Sequence, residues 1–273
     1  MGNFLLCNIR RATNPYPIPA LGIGIHSAEE LCYFMNHYLY ILEDDFVCDE
    51  LMDFLRTELG LGNMVDKIRR LMDDRLDMYQ VIYMIEQDIH YYSEGELQDL
   101  KRRLDMLKQL GAAERAKLRG DFYLEDGRPM TAIHIYGRIL SGEYTEMIGR
   151  EMKSRVLHNA GIAYARLFEW KKAMECMIES CHWGPTEETL KAMYNLTLLD
   201  DLAEIPQEIF SAISVNQQYN WKEEFEILYR KAMHGGKALE AQNILEKDSV
   251  RRTEGLNRLL GEWKQEYRMM VRE

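Results

Sequence analysis

The sequence predicts an all-α protein: an array of paired helices, preceded by an amino-terminal helical bundle and closed by a carboxy-terminal capping helix. Three observations predict it. Apolar residues recur at three- and four-residue spacing through most of the chain. Two of these runs are headed by a Ser-x-x-Glu capping box, at Ser27/Glu30 and Ser93/Glu96. Prolines are few, 6 against 17 methionines, so little interrupts a helix.

The elements follow in order. Residues 1–25 read as an extended arm laid over the bundle, because Pro15, Pro17 and Pro19 alternate and exclude helix interior. Gly22 and Gly24 read as a flexible turn; Ser27 stands where a dinucleotide fingerprint needs its third glycine. Residues 26–111 carry five short amphipathic helices. The first has Ala28, Leu31, Met35, Tyr38 and Leu42 on one face, the second Leu51, Phe54, Leu55 and Leu59, ending at Gly60. Met64, Val65, Ile68, Leu71 and Met72 form a third stripe, and Val81, Ile82, Ile85 and Ile89 a fourth. Leu97, Leu100, Leu104 and Leu107 form the fifth, before Gly111. Seven tyrosines crowd this bundle, read as half-buried rings with wet hydroxyls, the alternative being an aromatic partner-binding cleft.

Charge and cysteine content exclude several classes. The net charge of −11 opposes nucleic-acid backbones and anionic membrane surfaces. Residues 1–111 hold 11 Lys+Arg against 19 Asp+Glu and residues 112–273 hold 23 against 26, so the amino-terminal part is the acidic one. Cys7, Cys32, Cys48, Cys176 and Cys181 are odd in number and lack Cys-x-x-Cys spacing, which fits a reducing interior. No run approaches the roughly 20 apolar residues that span a bilayer. The amino terminus lacks the flanks of a signal peptide, and the expected location is cytoplasmic.

After Gly111 an internal period emerges. Leu157, Ala160, Gly161 and Tyr164 share one helical face; Ala173, Met177 and Ser180 follow on a second helix, and Pro185 stops it. Small residues at these positions let two helices approach closely. A copy precedes it, with Ala116, Gly120 and Tyr123, then Ala132, Tyr136 and Ile139. A third begins with Tyr194, Asn195 and Leu198, its partner helix expected around 207–215. The pattern resembles the tetratricopeptide repeat, a 34-residue helix–turn–helix unit, over residues 112–218 and most closely over 154–187. Leu157 replaces the usual first aromatic, Ile139 is not small, and Tyr144 stands where the proline of its unit would be. Residues 219–273 are then expected as capping helices, with Trp221, Phe225, Leu228 and Tyr229, then Leu256, Leu260, Trp263, Tyr267 and Met270. A dimer seam along the last stripe is the alternative.

The resemblance implies binding. Such proteins hold a peptide or partner helix in a groove lined by the first helix of each unit. Carried over to this sequence, the groove positions are Glu114, Lys117 and Asp121; Arg155, His158, Asn159, Ile162 and Arg166; and Thr189, Ala192 and Met193. Chaperone-binding members clamp a carboxylate with two lysines, two asparagines and an arginine. Lys117 and Asn159 fit that clamp, whereas Asp121, Thr189 and Met193 replace the other three. Arg155, His158 and Arg166 still offer donors to an acidic or polar peptide.

Catalytic and metal motifs do not emerge. Histidines are scattered, and phosphate loops, nucleophile elbows and kinase signatures are missing. Cys176, Cys181 and His182 match no zinc spacing. The acidic cluster Glu43, Asp44, Asp45, Asp49, Glu50 and Asp53 lacks the alternation of a calcium loop and reads as a helix start. The expectation is a non-catalytic interaction scaffold without cofactor or metal. The alternatives are a peptide-responsive regulator joining a helical effector to repeats, suggested by Asn159 and Asn195, and an all-α enzyme.

Overall fold

The computed structural model describes residues 10–43, 45–72, 77–144 and 148–271; Cys7, Asp44 and the side chain of Met72 lie outside them. Among the described residues the protein is all-α, with 14 α-helices and one two-stranded ribbon. The chain divides into two compact units, Met1–Gly111 and Ala112–Glu273.

In the first unit the expected arm is a ribbon instead. Strands β1 (Tyr16–Ile18) and β2 (Ile23–Ile25) pair antiparallel, with Tyr16 opposite Ile25. Alternating prolines leave Tyr16 and Ile18 as the backbone donors of β1, and Gly22 turns the chain at φ +66°. Ile18 and Ile25 are buried. Glu58 holds the approach to the ribbon by accepting from the Thr13 and Asn14 backbones and the Asn14 side chain.

Helix α1 (Ala28–His37) is capped by Ser27, whose hydroxyl accepts from Glu30 N at 3.1 Å. The Glu30 carboxylate takes the N–H of His26 rather than that of Ser27, so the box is only half closed. The helix stops earlier than its apolar stripe, with a 3-10 turn over Leu39–Ile41. Helix α2 (Asp49–Asp53) continues as a π-helical turn, Phe54–Glu58, before Gly60 at φ +72°. Asp49 and Glu50 lie in the first turn of α2, where the helix dipole favours carboxylates. Helices α3 (Gly62–Met72), α4 (Met78–Ile89) and α5 (Glu94–Gln109) complete the unit. The Ser93 capping box closes in both directions, and Asp77 with Gln80 forms another that the sequence reading had not singled out.

In the second unit α6 (Ala112–Glu125), α7 (Pro129–Leu140), α8 (Arg150–Arg166), α9 (Trp170–Trp183) and α10 (Glu187–Leu199) pack each on the next, and α6 also meets α8. A Cβ on Gly161 would lie 2.8 Å from Met177 Cγ and 3.1 Å from the Ala173 carbonyl, so only glycine admits this crossing. At the other end of the pair Ser180 donates to the Ser154 carbonyl at 2.8 Å, and Ser154 donates to the Gly184 carbonyl at 2.8 Å. Ser154 opposite Ser180 and Gly161 opposite Ala173 mean that α9 runs back along α8. Cys181 is buried with its sulfur 3.8 Å from that of Met193, and burial pushes the Cys176 thiol up to about 11. Both cysteines are packing groups, and no cluster of metal-ligating residues is found among the described residues.

The carboxy-terminal part departs from expectation in two places. The helix expected over 207–215 is a single turn, α11 (Gln207–Phe210), because a new capping box at Ser214 starts α12 (Val215–Met233). Helix α10 therefore packs against α9 and α12. Trp221 of α12 is buried and joins Met177, Leu190, Met193, Ile209 and Ile213 in one core, which covers the α9–α10 layer. Beyond Trp221, Leu228 and Tyr229 are exposed. Helix α13 (Gly236–Leu245) packs against α14 (Ser249–Met270), where Ile244 meets Gly255. Leu259 is the buried residue of α14, whereas the stripe expected to cap the array leaves Leu260, Trp263 and Tyr267 exposed. One turn of α12, rather than the last helix, supplies the cover. No helix is long and apolar enough to cross a membrane among the described residues.

Candidate functional site

Of the eleven residues expected in a groove, eight lie on α6 and α8 and three on α10, and hydrogen bonds join Lys117, Asp121, His158, Asn159, Arg166 and Thr189 to neighbouring helices or to one another. On α6, Lys117 and Asp121 are one turn apart on the same face, and their side chains pair at 2.5 Å. The helix turns Gly120 towards α7, where a Cβ would lie only 2.5 Å from the Tyr136 ring. That gap lets the ring of Tyr136, fully buried, lie against α6 and donate its hydroxyl proton to Asp121 at 2.7 Å. Asn159 of α8 donates its amide to the same carboxylate oxygen at 2.7 Å. Asp121 thus accepts from three side chains on three helices. Burial, and next the charge of Asp121, hold the Tyr136 hydroxyl far above its ordinary range, so it acts as a donor.

A second link lies one residue earlier on α8. His158 Nδ1 is 2.9 Å from the hydroxyl of Thr189, which is buried on α10 and also bonds Thr186, the residue capping that helix. Burial lowers the His158 pKa, Lys117 lowers it further, and Glu188 opposes both. The neutral imidazole is therefore favoured at neutral pH. At the other end of α8, Arg166 donates to the Leu124 carbonyl near the end of α6, which also accepts from the Gly127 backbone.

The remaining positions differ in accessibility. Arg155 is exposed and, among the described residues, pairs with Glu151, one turn away on the same helix, at 2.5 Å. Ile162 is half-buried against the core around α9 and α10, and Met193 is fully buried there. Glu114 is exposed. Asn195 carries a side-chain oxygen that is buried without a hydrogen-bond partner among the described residues. Sequence spacing therefore brought Lys117, Asp121, His158, Asn159 and Arg166 to one row of helices but misjudged Thr189 and Met193, which face inward. It also missed Tyr136 as the third donor to Asp121, although glycine at 120 opposite an aromatic was the available signal. No protein-family model, curated protein or solved structure matches the chain.

Proposed function

We propose that this protein is a non-catalytic scaffold with tetratricopeptide-like repeats that holds a peptide or partner helix along α6, α8 and α10. The observation that carries the reading is the side-chain row joining these helices: Lys117–Asp121–Asn159 between α6 and α8, and His158–Thr189 between α8 and α10. Side chains held by packing and mutual bonds lose little freedom when a ligand arrives, which lowers the entropic cost of binding. Arg155, exposed and paired with a glutamate of its own helix, is a cation beside this row open to an acidic or polar ligand.

Affinity capture at physiological salt, comparing wild type with Arg155→Glu, tests the reading. Arg166 is unsuitable as the first variant because it also bonds the end of α6. The expected result is one or two stoichiometric partners that the variant loses while its circular dichroism is unchanged. Retention of the same partners by Arg155→Glu would sink the groove assignment. The division into two units supports a second reading, a regulator in which an amino-terminal effector answers to a ligand of the repeats. A ligand-dependent change in hydrogen exchange within residues 26–111 is the result that reading requires.

A further inference from the structure

The longest helix among the described residues, α14, carries an apolar face whose middle, from Leu260 to Tyr267, is exposed. Leu256, Leu260, Trp263, Tyr267 and Met270 alternate four- and three-residue steps, the spacing with which one helix meets another along a seam. Trp263 is 39% exposed, Tyr267 43% and Leu260 46%, large values for side chains of this size on one stripe. They line a cavity of about 620 Å³.

Phe168, from the turn between α8 and α9, forms another part of its wall. That residue is unusual in two ways. It is 66% exposed, and its backbone is left-handed at φ +62°, a conformation that a bulky residue adopts at a cost. Its ring meets Trp170 edge-on, so it is held outward by a neighbour rather than folded into the core.

The rim is basic. Lys237 is paired with Glu266 at 2.5 Å, which leaves Lys264 and Arg268 without a carboxylate partner among the described residues. From Leu260 to Met270 the stripe rises about 15 Å, close to three turns of a partner helix. A second copy of this chain fits poorly. Antiparallel two-fold pairing along the stripe sets the Lys264–Arg268 flank of one copy against the same flank of the other.

We propose that the α14–Phe168 face docks an amphipathic helix of another protein, with apolar residues at heptad spacing and carboxylates on its flanks. The apolar side chains enter between Phe168, Leu260, Trp263 and Tyr267, and the carboxylates meet Lys264 and Arg268. This surface is separate from the row of α6, α8 and α10, and its occupancy does not depend on that row.

Fluorescence anisotropy tests the proposal with a labelled synthetic helix of about 18 residues carrying Leu at the seam and Glu on the flanks, and a twin with Lys for Glu. The expected result is at least about tenfold tighter binding of the acidic peptide. Trp263→Ala should weaken it at least about tenfold, and Lys264→Glu/Arg268→Glu should reverse the preference between peptides. Both variants change exposed residues, and circular dichroism verifies their fold. Equal affinity for the two peptides, or no binding of either, overturns the proposal. So does sedimentation showing a dimer that Trp263→Ala dissociates, which would make a second copy the occupant. Binding to phosphatidylserine vesicles that Trp263→Ala abolishes would instead make a membrane the occupant, and overturns it too.

Discussion

Two helix pairs in the second unit use the same device and end differently. In α8–α9 a glycine, Gly161, admits Met177 and the Ala173 carbonyl; in α13–α14 another, Gly255, admits Ile244 at 2.9 Å from the missing Cβ. Both pairs are amphipathic and antiparallel in their contacts. Yet α7 and α10 cover the flanks of α8–α9, whereas α14 meets α13 along one side and leaves its stripe open. An apolar stripe at helical spacing therefore states that a surface is suited to another helix. Whether that helix belongs to the same chain is decided by what else the fold brings near.

The sharpest way to break this comparison is to truncate one apolar side chain in each pair. Met177→Ala, in a fully enclosed site, should cost about 2–5 kcal/mol in urea unfolding. Leu260→Ala should remain within about 0.5 kcal/mol of wild type. Equal losses would mean that the α14 stripe is covered in solution.

The hydrogen-bonded row is the next largest target. Tyr136→Phe keeps the ring against Gly120 but removes a proton donor from a carboxylate, and a loss of about 1.5–3 kcal/mol is expected. A neutral result would show that Asn159 and Lys117 satisfy Asp121 without it.

The two glycines give a third comparison. Gly161→Val should cost about 1–3 kcal/mol by overpacking, since a backbone carbonyl lies on the far side. At Gly255 the same change meets only a side chain on a helix pair with an open face, so thermal unfolding should shift less. A larger shift at Gly255 would contradict the difference drawn between the pairs.

A pH-dependent effect concerns Glu86 on α4, the counterpart of Asp121 without its donors. Both its carboxylate oxygens are buried and unpartnered among the described residues. Burial pushes its pKa up to about 8, only partly offset by the Cys32 thiol and the charge of Arg103. The folded state then holds a proton that the unfolded state releases above its ordinary value of about 4.3. Stability contributed by the neutral acid is thus complete at low pH and declines as pH rises towards 8. Glu86→Gln should flatten this decline, so melting temperatures at pH 5.5 and pH 8 should differ less in the variant. An unchanged difference would mean that Glu86 ionises without penalty.

Much of the helical order was legible because it is written locally. Ser93 and Glu96 close a box within one turn, a glycine stops a helix at Gly60, and the stripes of α3 to α5 point to their cores by spacing, except that Leu71 of α3 is exposed. The glycine positions at 120 and 161 predicted close crossings because only a neighbouring helix explains a glycine in a helix interior. The candidate site was legible as a row of positions, and less so as chemistry. Asp121 looked like a groove charge, but Tyr136, Asn159 and Lys117 occupy it. Thr189 and Met193 fell on the expected face by count and are buried by the neighbouring helices.

From the sequence came the helical character of most segments, the starts of α1 and α5, and most of the apolar faces, because capping bonds and side-chain periodicity act within a few residues. Tertiary structure alone decided which of those faces were covered. Trp221 closes the α9–α10 core through contacts some 40 residues distant, and the stripe of α14 finds no such partner. Burial and hydrogen-bond occupancy belong to pairs of segments, and their pairing is set by packing of the whole chain rather than by either segment's own pattern.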